Sequence, residues 1–140
     1  MAIIIDTSVI YKWIAEEEPK EEMEKAYQLM DRHIQGEEVC ISMDLIFYEL
    51  GNILSMRKDL SMSEIMTAWN RFLDFKIQIV STTEKNITAA VKLAKVHGIT
   101  VYDASYVVLA QDKNCNFITA DRKLVSKVNL PFVKHILTVE

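Results

Sequence analysis

The sequence predicts an α/β protein of three layers (α/β/α), in which a mainly parallel central sheet is covered by helices on both faces. Short β-branched runs alternate along the chain with longer segments whose apolar residues recur every three or four positions, a pattern typical of strands connected by helices. Half of the 140 residues are hydrophobic, and only three are Gly and two are Pro, which excludes a disordered or collagen-like chain. At this length we expect a single domain over residues 1–140.

The first strand and the first helix follow directly on one another. Residues 2–5 form a β-branched run, and Asp6, Thr7 and Ser8, which are all N-cap residue types, come immediately after it. This order predicts a buried strand that ends at Asp6 and turns at once into a helix. The helix is expected to run through Val9, Tyr11 and Trp13.

A second helix is predicted between Pro19, which suits a first turn, and Gly36. The acidic run over residues 16–24 is interpreted as a solvated loop and helix start, because Glu is favoured near the positive end of a helix dipole. The apolar face of this helix is predicted to consist of Met23, Ala26, Tyr27, Met30 and Ile34.

Residues 39–42 form a second candidate strand, and Asp44 is placed to cap the helix that follows it. Ser61 and Glu64 have the spacing of a capping box at the start of another helix. The residues predicted to face the core are Ile46, Leu50, Ile53 and Leu54 in the first of these helices and Ile65, Trp69, Phe72 and Leu73 in the second.

The second half of the chain repeats the alternation. Residues 77–80 predict a strand, and a helix containing Ile87, Ala90, Val91 and Ala94 is expected to stop near Gly98. Asp103 is then expected to cap a further helix. Strands are predicted over Asn116–Thr119 and, at the end of the chain, over His135–Val139.

Charge and cysteine content exclude several classes of protein. The net charge of −4 argues against a polybasic binder of nucleic acid or membrane. Residues 71–140 have an excess of basic residues, however, so a polyanionic partner is not excluded. Cys40 and Cys115 lack the spacing of a disulfide framework or a zinc site and are interpreted as core residues. The N-terminus lacks the basic region of a signal peptide, and no apolar run approaches the roughly 20 residues of a membrane span, so we expect a cytoplasmic protein.

Four carboxylates are expected at one edge of the sheet. Ligands of open parallel sheets bind beyond the carboxyl ends of the strands, where Asp6 follows one strand and Asp121 follows another. Asp103, at a helix start, and Glu49, one turn into the helix after Asp44, can reach the same crevice. Taken singly, Asp6 and Asp103 have an ordinary interpretation as helix caps and Asp121 as a turn residue.

Glu49 is harder to explain in this way, because a carboxylate in an otherwise apolar helix is costly to bury without a cation or partner. Four like charges in one crevice would also repel each other unless something positive neutralises them. Carboxylate oxygens favour Mg²⁺ or Mn²⁺ over zinc. Sites of this kind typically serve phosphoryl-transfer chemistry.

Four segments of the sequence resemble, in order, the four motifs of PIN-domain nucleases. They are Ile3–Ser8, Tyr48–Asn52, Tyr102–Tyr106 and Phe117–Asp121. The resemblance spans essentially the whole chain, which has the size of a single-domain VapC-type toxin. It implies a PIN-like fold and a Mg²⁺- or Mn²⁺-dependent ribonuclease, whose catalytic metal-site residues would be Asp6, Glu49, Asp103 and Asp121.

The resemblance also implies supporting roles. Ser8, Asn52 and Thr119 match polar positions that would orient ligands or water, although local capping and turn bonds explain each of them equally well. Many relatives carry another acid shortly after the fourth motif, where this chain has Arg122 and Lys123. A second metal would therefore be weakly held or arrive with the substrate. The basic half of the chain supplies candidate contacts to RNA phosphates, although solvated surface positions explain most of them equally well. The candidates are Arg122 and Lys123, together with Lys92, Lys95 and Lys127.

The reaction implied is hydrolysis of an RNA phosphodiester by a metal-activated water, leaving a 5′-phosphate and a 3′-hydroxyl. His33, His97 and His135 are interpreted as surface or packing residues. A VapC-type toxin would further have a cognate antitoxin that blocks the acidic crevice, commonly with a basic side chain, and would form a homodimer.

Two other functions stay open. The chain could be a housekeeping RNA-processing PIN nuclease outside any toxin pair, or a PIN-like module that binds RNA or metal without cutting. A haloacid-dehalogenase-like phosphatase shares the alternating topology, but Asp6-Thr7-Ser8 lacks the second Asp that its motif needs. The paired acids and late Lys of a phosphotransfer receiver are not evident either.

Overall fold

Five short strands form one sheet in the computed structural model of the protein, which describes residues 1–139. They are β1 (Ala2–Ile5), β2 (Val39–Met43), β3 (Gln78–Val80), β4 (Asn116–Thr119) and β5 (Val133–His135). Every pairing between neighbouring strands is parallel, so the prediction of a mainly parallel sheet is confirmed.

Helices connect the strands in the order that the alternating pattern predicts. Within residues 1–139 they are α1 (Thr7–Ile14), α2 (Lys20–Ile34), α3 (Leu45–Ser55), α4 (Met62–Asp74), α5 (Glu84–His97), α6 (Val101–Lys113) and α7 (Arg122–Val128). A turn of 3₁₀ helix over Ile136–Thr138 follows β5.

The strand order β3-β2-β1-β4-β5 places β1 at the centre of the sheet. The chain extends the sheet to one side of β1 through β2 and β3, and then crosses to the other side to add β4 and β5. Ligands of open parallel sheets bind in the crevice outside the carboxyl ends of the strands where the order reverses, which here is between β1 and β4. Asp6 directly follows β1, and Asp121 lies two residues beyond β4.

Side chains of β1 alternate between two hydrophobic cores, because successive residues of a strand point to opposite faces. Ile3 and Ile5 pack on one face in the cluster that contains Trp13 of α1. Ile4 packs on the other face in the cluster that contains Tyr106 of α6. Helices therefore cover both faces of the sheet, and the predicted three-layer architecture is confirmed.

Some apolar residues predicted to face the core lie on the outer sides of their helices. On α2 the buried face contains Ala26 and Leu29, whereas Tyr27 and Ile34 are exposed. Adjacent helical residues point about 100° apart. A predicted apolar stripe that is shifted by one position therefore includes residues that lie outside the buried face. The other exposed members of the predicted stripes are Ile53, Leu73 and Val91.

The two predicted helix caps differ from the structure in different ways. Asp44 occupies the N-cap position of α3 as predicted, but its side chain makes no capping bond. Its carboxylate instead accepts hydrogen bonds from the N–H (3.0 Å) and the hydroxyl (2.6 Å) of Thr82, which joins the end of β2 to the segment after β3. Helix α6 is capped by Thr100, whose hydroxyl accepts from the Asp103 N–H at 3.1 Å. Asp103 thus lies inside the first turn of α6 and is not its cap.

The end of the chain also differs from the prediction. The strand expected over His135–Val139 is instead Val133–His135, because its neighbour β4 ends at Thr119, directly opposite His135, and the chain then turns into α7. The Nδ1 atom of His135 accepts from the Leu137 N–H at 3.2 Å as the 3₁₀ turn begins.

Other sequence signals are confirmed. Ser61 and Glu64 form the predicted capping box, and Gly98 ends α5 with a left-handed φ of 66°. Cys40 is buried, Cys115 is partly buried, and both are free thiols. Within residues 1–139, no helix has the length and apolar character needed to cross a membrane.

The acidic run over residues 16–24, interpreted above as solvated, contains a buried carboxylate. Glu22 is 6% exposed and lies 3.8 Å from the ammonium group of Lys12, which is also buried. Its other oxygen lies 3.6 Å from the guanidinium group of Arg122 and 3.9 Å from Nε2 of His135. Because charges are costly to bury unless they are paired, this cluster couples α1 and α2 to the start of α7.

We expect Lys12→Met to lower the free energy of unfolding by about 3 kcal/mol, because it leaves the buried charge of Glu22 without its closest buried partner. The double variant Lys12→Met/Glu22→Leu should recover most of this loss, since it removes both charges and keeps the volume apolar. Urea denaturation of the three proteins measures the difference. A double variant no more stable than Lys12→Met would contradict this account and place the cost in side-chain packing.

Candidate active site

The carboxylate of Asp6 lies buried where β1 turns into α1. It caps α1 by accepting from the Val9 N–H at 3.4 Å, and it accepts from the hydroxyls of Ser8 at 2.5 Å and Thr119 at 2.6 Å. Burial raises the pKa of Asp6 to about 6, and the negative charge of Asp103 adds to the increase, while the hydroxyl and backbone bonds oppose it. Asp6 thus lies at the carboxyl end of the first strand, as predicted.

The same two hydroxyls fix the turn that follows β4. Ser8 Oγ lies 3.3 Å from Thr119 Oγ1 and accepts from the Ala120 N–H at 2.9 Å. Thr119 Oγ1 accepts from the Asp121 N–H at 3.1 Å. Ser8 and Thr119 thus connect the end of β1 to the end of β4.

Glu49 reaches the same region from the second turn of α3. Its Oε1 atom accepts from the Thr7 hydroxyl at 2.9 Å and from the Tyr106 hydroxyl at 2.6 Å. Thr7 begins α1 immediately after Asp6, and Tyr106 lies on α6 one turn after Asp103. The hydrogen bonds therefore hold Glu49 beside the elements that carry two of the other acids.

Asp103 and Asp121 bring further negative charge to this crevice. Burial raises the pKa of Asp103, and the negative charges of Asp121 and Glu49 raise it further. Asp121 is exposed and caps α7, a helix that the sequence analysis did not predict, by accepting from the Leu124 N–H at 3.1 Å. Asp103 is thus electrostatically coupled to each of the other three acids.

The remaining predicted residues take no part in the hydrogen bonds described above. Asn52 is exposed one turn after Glu49, and no hydrogen bond of its side chain to the four acids occurs within residues 1–139. Arg122 is exposed but tethered to Glu22, and Lys123 is exposed beside it. Exposed lysines also include Lys127, which donates to the Gly98 carbonyl at 3.3 Å, and Lys92 and Lys95 on α5.

The chemistry of this donor set fits a divalent cation. All four acids and their neighbouring hydroxyls offer oxygen ligands, and the mutual repulsion around Asp103 is what a cation would relieve. Among residues 1–139, no three Asp, Glu, His or Cys side chains are grouped closely enough to enclose an ion. Mg²⁺ does not need such an enclosure, because it usually keeps several waters and binds through one or two carboxylates.

Sequence reasoning missed Thr7 and Tyr106. A tyrosine within an otherwise apolar stretch of a helix needs a partner for its hydroxyl, and its position three residues after Asp103 places both on one helix face. The sequence thus indicates that the Tyr106 hydroxyl has a partner, but it does not indicate that the partner is Glu49. The pairing of Glu22 with His135 has no local signal, because the two residues are distant in the sequence.

The fold and the acidic crevice define a class of protein: an open parallel α/β domain with carboxylates at the point where the strand order reverses. Comparison with known proteins identifies the family within this class. The PIN domain matches residues 3–129, and the chain belongs to this family. It is 31% identical to Ribonuclease VapC3 from Pyrobaculum aerophilum over 134 residues, which cover 91% of this chain and 95% of that protein.

Solved structures support the same fold. The crystal structure of PAE2754 from Pyrobaculum aerophilum superposes with a TM-score of 0.70 at 20% identity, covering 99% of this chain and 91% of that one. A toxin–antitoxin complex from Klebsiella pneumoniae contains a chain that superposes with a TM-score of 0.69 at 13% identity, covering 96% of this chain and 97% of that one. The predicted PIN-like fold is thus confirmed.

We expect Asp6→Asn to stabilise the metal-free protein by about 1–3 kcal/mol near pH 7.5, because Asn retains the helix cap and removes a buried charge. The pKa of Asp6 rises from 3.8 to about 6 on folding. Its ionisation therefore costs no stability below about pH 4, an increasing amount between about pH 4 and 6, and the full amount above pH 6.

Thermal or urea denaturation in EDTA near pH 4.5 and pH 7.5 tests this dependence. The advantage of Asp6→Asn should be largest near pH 7.5 and mostly lost near pH 4.5. Asp112→Asn, which changes an exposed acid at the other end of α6, serves as the control and should show no such dependence. An advantage of equal size at both pH values would contradict the assignment to Asp6 ionisation.

Proposed function

We propose that the chain is a Mg²⁺- or Mn²⁺-dependent endoribonuclease and the toxin of a VapBC-type toxin–antitoxin pair, acting on RNA in the cytoplasm. The observation that carries the proposal is the pair of carboxylates, Asp6 and Glu49, that hydroxyl donors hold at the strand-order reversal of a PIN domain. The similarity to Ribonuclease VapC3 supports RNA as the substrate class. The single domain is proposed to comprise residues 1–140.

One or two of the four acids would bind the metal directly and the others would act through its waters. A bound divalent cation would supply the positive charge that activates water and stabilises the leaving oxygen. Asp6 is the most rigidly held, since two hydroxyls and one N–H fix both of its oxygens. Glu49 is fixed through Oε1. Asp103 and Asp121 complete the negative crevice from the first turn of α6 and the start of α7.

Histidine side chains are not used as bases in this proposal. One ring nitrogen of His33 lies 2.6 Å from the Phe75 carbonyl, and the other accepts from the Cys40 N–H at 3.3 Å. One ring nitrogen of His135 lies 3.3 Å from the Ala120 carbonyl, and the other accepts from Leu137. Both rings are therefore engaged by the backbone, which supports the interpretation of these residues as structural.

Positive charge beside the fourth acid is proposed to bind RNA phosphates. Arg122 and Lys123 directly follow Asp121, and both are exposed. The ion pair with Glu22 keeps the Arg122 guanidinium group at this edge of the sheet while leaving 65% of its side chain exposed. An exposed cation in a fixed position is suited to orient a phosphate backbone next to the acids.

A protein partner and self-association are also part of the proposal. The toxin–antitoxin complex from Klebsiella pneumoniae contains a chain with the same fold, which supports an antitoxin as the inhibitor. An acidic crevice with clustered carboxylates would accept a basic side chain from that inhibitor. Homodimer formation can be measured by light scattering on the purified chain.

Purified protein is expected to cleave a mixed single-stranded RNA in Mg²⁺ or Mn²⁺ and to lose this activity in EDTA. Asp103→Asn should reduce the rate by about 100-fold or more, because removal of even an outer partner of a metal ligand typically costs about 10- to 100-fold. Asp112→Asn on the same helix should cleave at the wild-type rate. Gel analysis of the products, including the 5′-phosphate expected for metal-assisted hydrolysis, measures each result.

Cleavage by Asp103→Asn at the wild-type rate would overturn the site. No RNA cleavage, with a melting temperature that Mn²⁺ raises in the wild type and not in Asp103→Asn, would indicate a metal site that requires a specific RNA. No effect of metal on either protein would favour the non-cleaving module. Cleavage without any antitoxin encoded beside the gene would favour the housekeeping nuclease.

A further inference from the structure

Two hydroxyl groups from different helices meet on the same oxygen of Glu49. Thr7 at the start of α1 and Tyr106 on α6 both donate to Oε1, at 2.9 and 2.6 Å. Within residues 1–139, no hydrogen-bond donor contacts Oε2. The carboxylate thus has one oxygen occupied by the protein and one oxygen available to a ligand.

Tyr106 is too deeply buried to contact substrate. Its side chain is 1% exposed, and its ring stacks on Phe117 of β4 with the centroids 5.7 Å apart and the planes at 19°. The hydroxyl is the only polar atom of this side chain, and a buried tyrosine hydroxyl requires a hydrogen-bond partner. That partner is Glu49, so the tyrosine acts on the crevice only through the carboxylate.

The two bonds also join Glu49 to the other acids mechanically. Thr7 is adjacent to Asp6, and Tyr106 follows Asp103 by one helical turn. A glutamate side chain rotates about several bonds, and an unrestrained one loses this freedom only when it binds a ligand. Donors that fix Oε1 beforehand therefore lower the entropy cost of binding through Oε2.

We propose that Tyr106, together with Thr7, is a positioning residue that holds Glu49 so that Oε2 faces the divalent cation. This inference rests on the proposed metal-dependent function. It assigns a role to two residues outside the four acids and outside the supporting positions Ser8, Asn52 and Thr119. Loss of either hydroxyl should weaken binding of the cation without removing any of its ligands.

Calorimetric titration of the metal-free protein with Mn²⁺ tests the inference directly. Tyr106→Phe removes the hydroxyl and keeps the stacked ring, and we expect its Kd for Mn²⁺ to rise about 10-fold or more. Tyr11→Phe is the matched control, because the Tyr11 hydroxyl is also buried but accepts from Arg57 and bonds to none of the four acids. Its Kd should equal that of the wild type.

A second pair of variants separates positioning from a general loss of stability. Thr7→Val removes the hydroxyl at nearly constant volume and should raise the Kd, whereas Thr7→Ser keeps the donor and should restore wild-type affinity. RNA cleavage by Tyr106→Phe should fall at limiting Mn²⁺ and recover at saturating Mn²⁺. A defect caused only by misfolding would not recover in this way.

The outcomes distinguish this inference from the proposed function. Wild-type protein that neither binds Mn²⁺ nor cleaves RNA would overturn both. Wild-type protein that does so, with an unchanged Kd in Tyr106→Phe and in Thr7→Val, would overturn the positioning role alone. If Tyr106→Phe fails to fold, the comparison of Thr7→Val with Thr7→Ser decides the question.

Discussion

The buried carboxylate of Asp6 is the constraint on which the rest of the structure depends. It lies at the end of the central strand, caps the first helix, and accepts hydroxyl bonds from Ser8 and from Thr119 on the neighbouring strand β4. One side chain thus fixes the strand-to-helix turn and the junction where the strand order reverses. The other acids lie around this point because α6 packs against β1 and β4, α3 packs against α1, and α7 packs against β5.

Two different solutions to buried negative charge occur in this chain. Glu22 is paired with Lys12, which also contacts Glu17, and Arg122 and His135 lie close to its second oxygen, so its charge is compensated within the contact between helices. Burial raises the pKa of Asp6 and of Asp103, and repulsion from neighbouring acids raises both further, although the charge of Lys127 opposes the increase at Asp103. The first arrangement supports the fold, whereas the second keeps unfavourable charge in a crevice, as is typical of functional sites.

Neutral hydroxyls hold the acids in place. Ser8 and Thr119 bind Asp6, and Thr7 and Tyr106 bind Glu49. A hydroxyl donor orients a carboxylate without cancelling its charge, unlike a Lys or Arg in the same position. The crevice therefore keeps its negative charge while its geometry is fixed, which is the combination that a site for a divalent cation requires.

Local sequence determined most of the secondary structure of this protein. The β-branched runs predicted β1 to β4 to within one or two residues, the capping box of Ser61 and the end of α5 near Gly98 were correct, and Asp6 and Asp121 were placed after the correct strands. These features depend on backbone preference and side-chain periodicity, which a few neighbouring residues encode.

Only the tertiary structure decided which side chains meet: Tyr106 with Glu49, Glu22 with His135, and Asp44 with Thr82. It also decided where β5 stops, because a strand continues only as long as its neighbour does. Such pairings join residues far apart in the chain, so their physical cause lies in packing and not in local sequence.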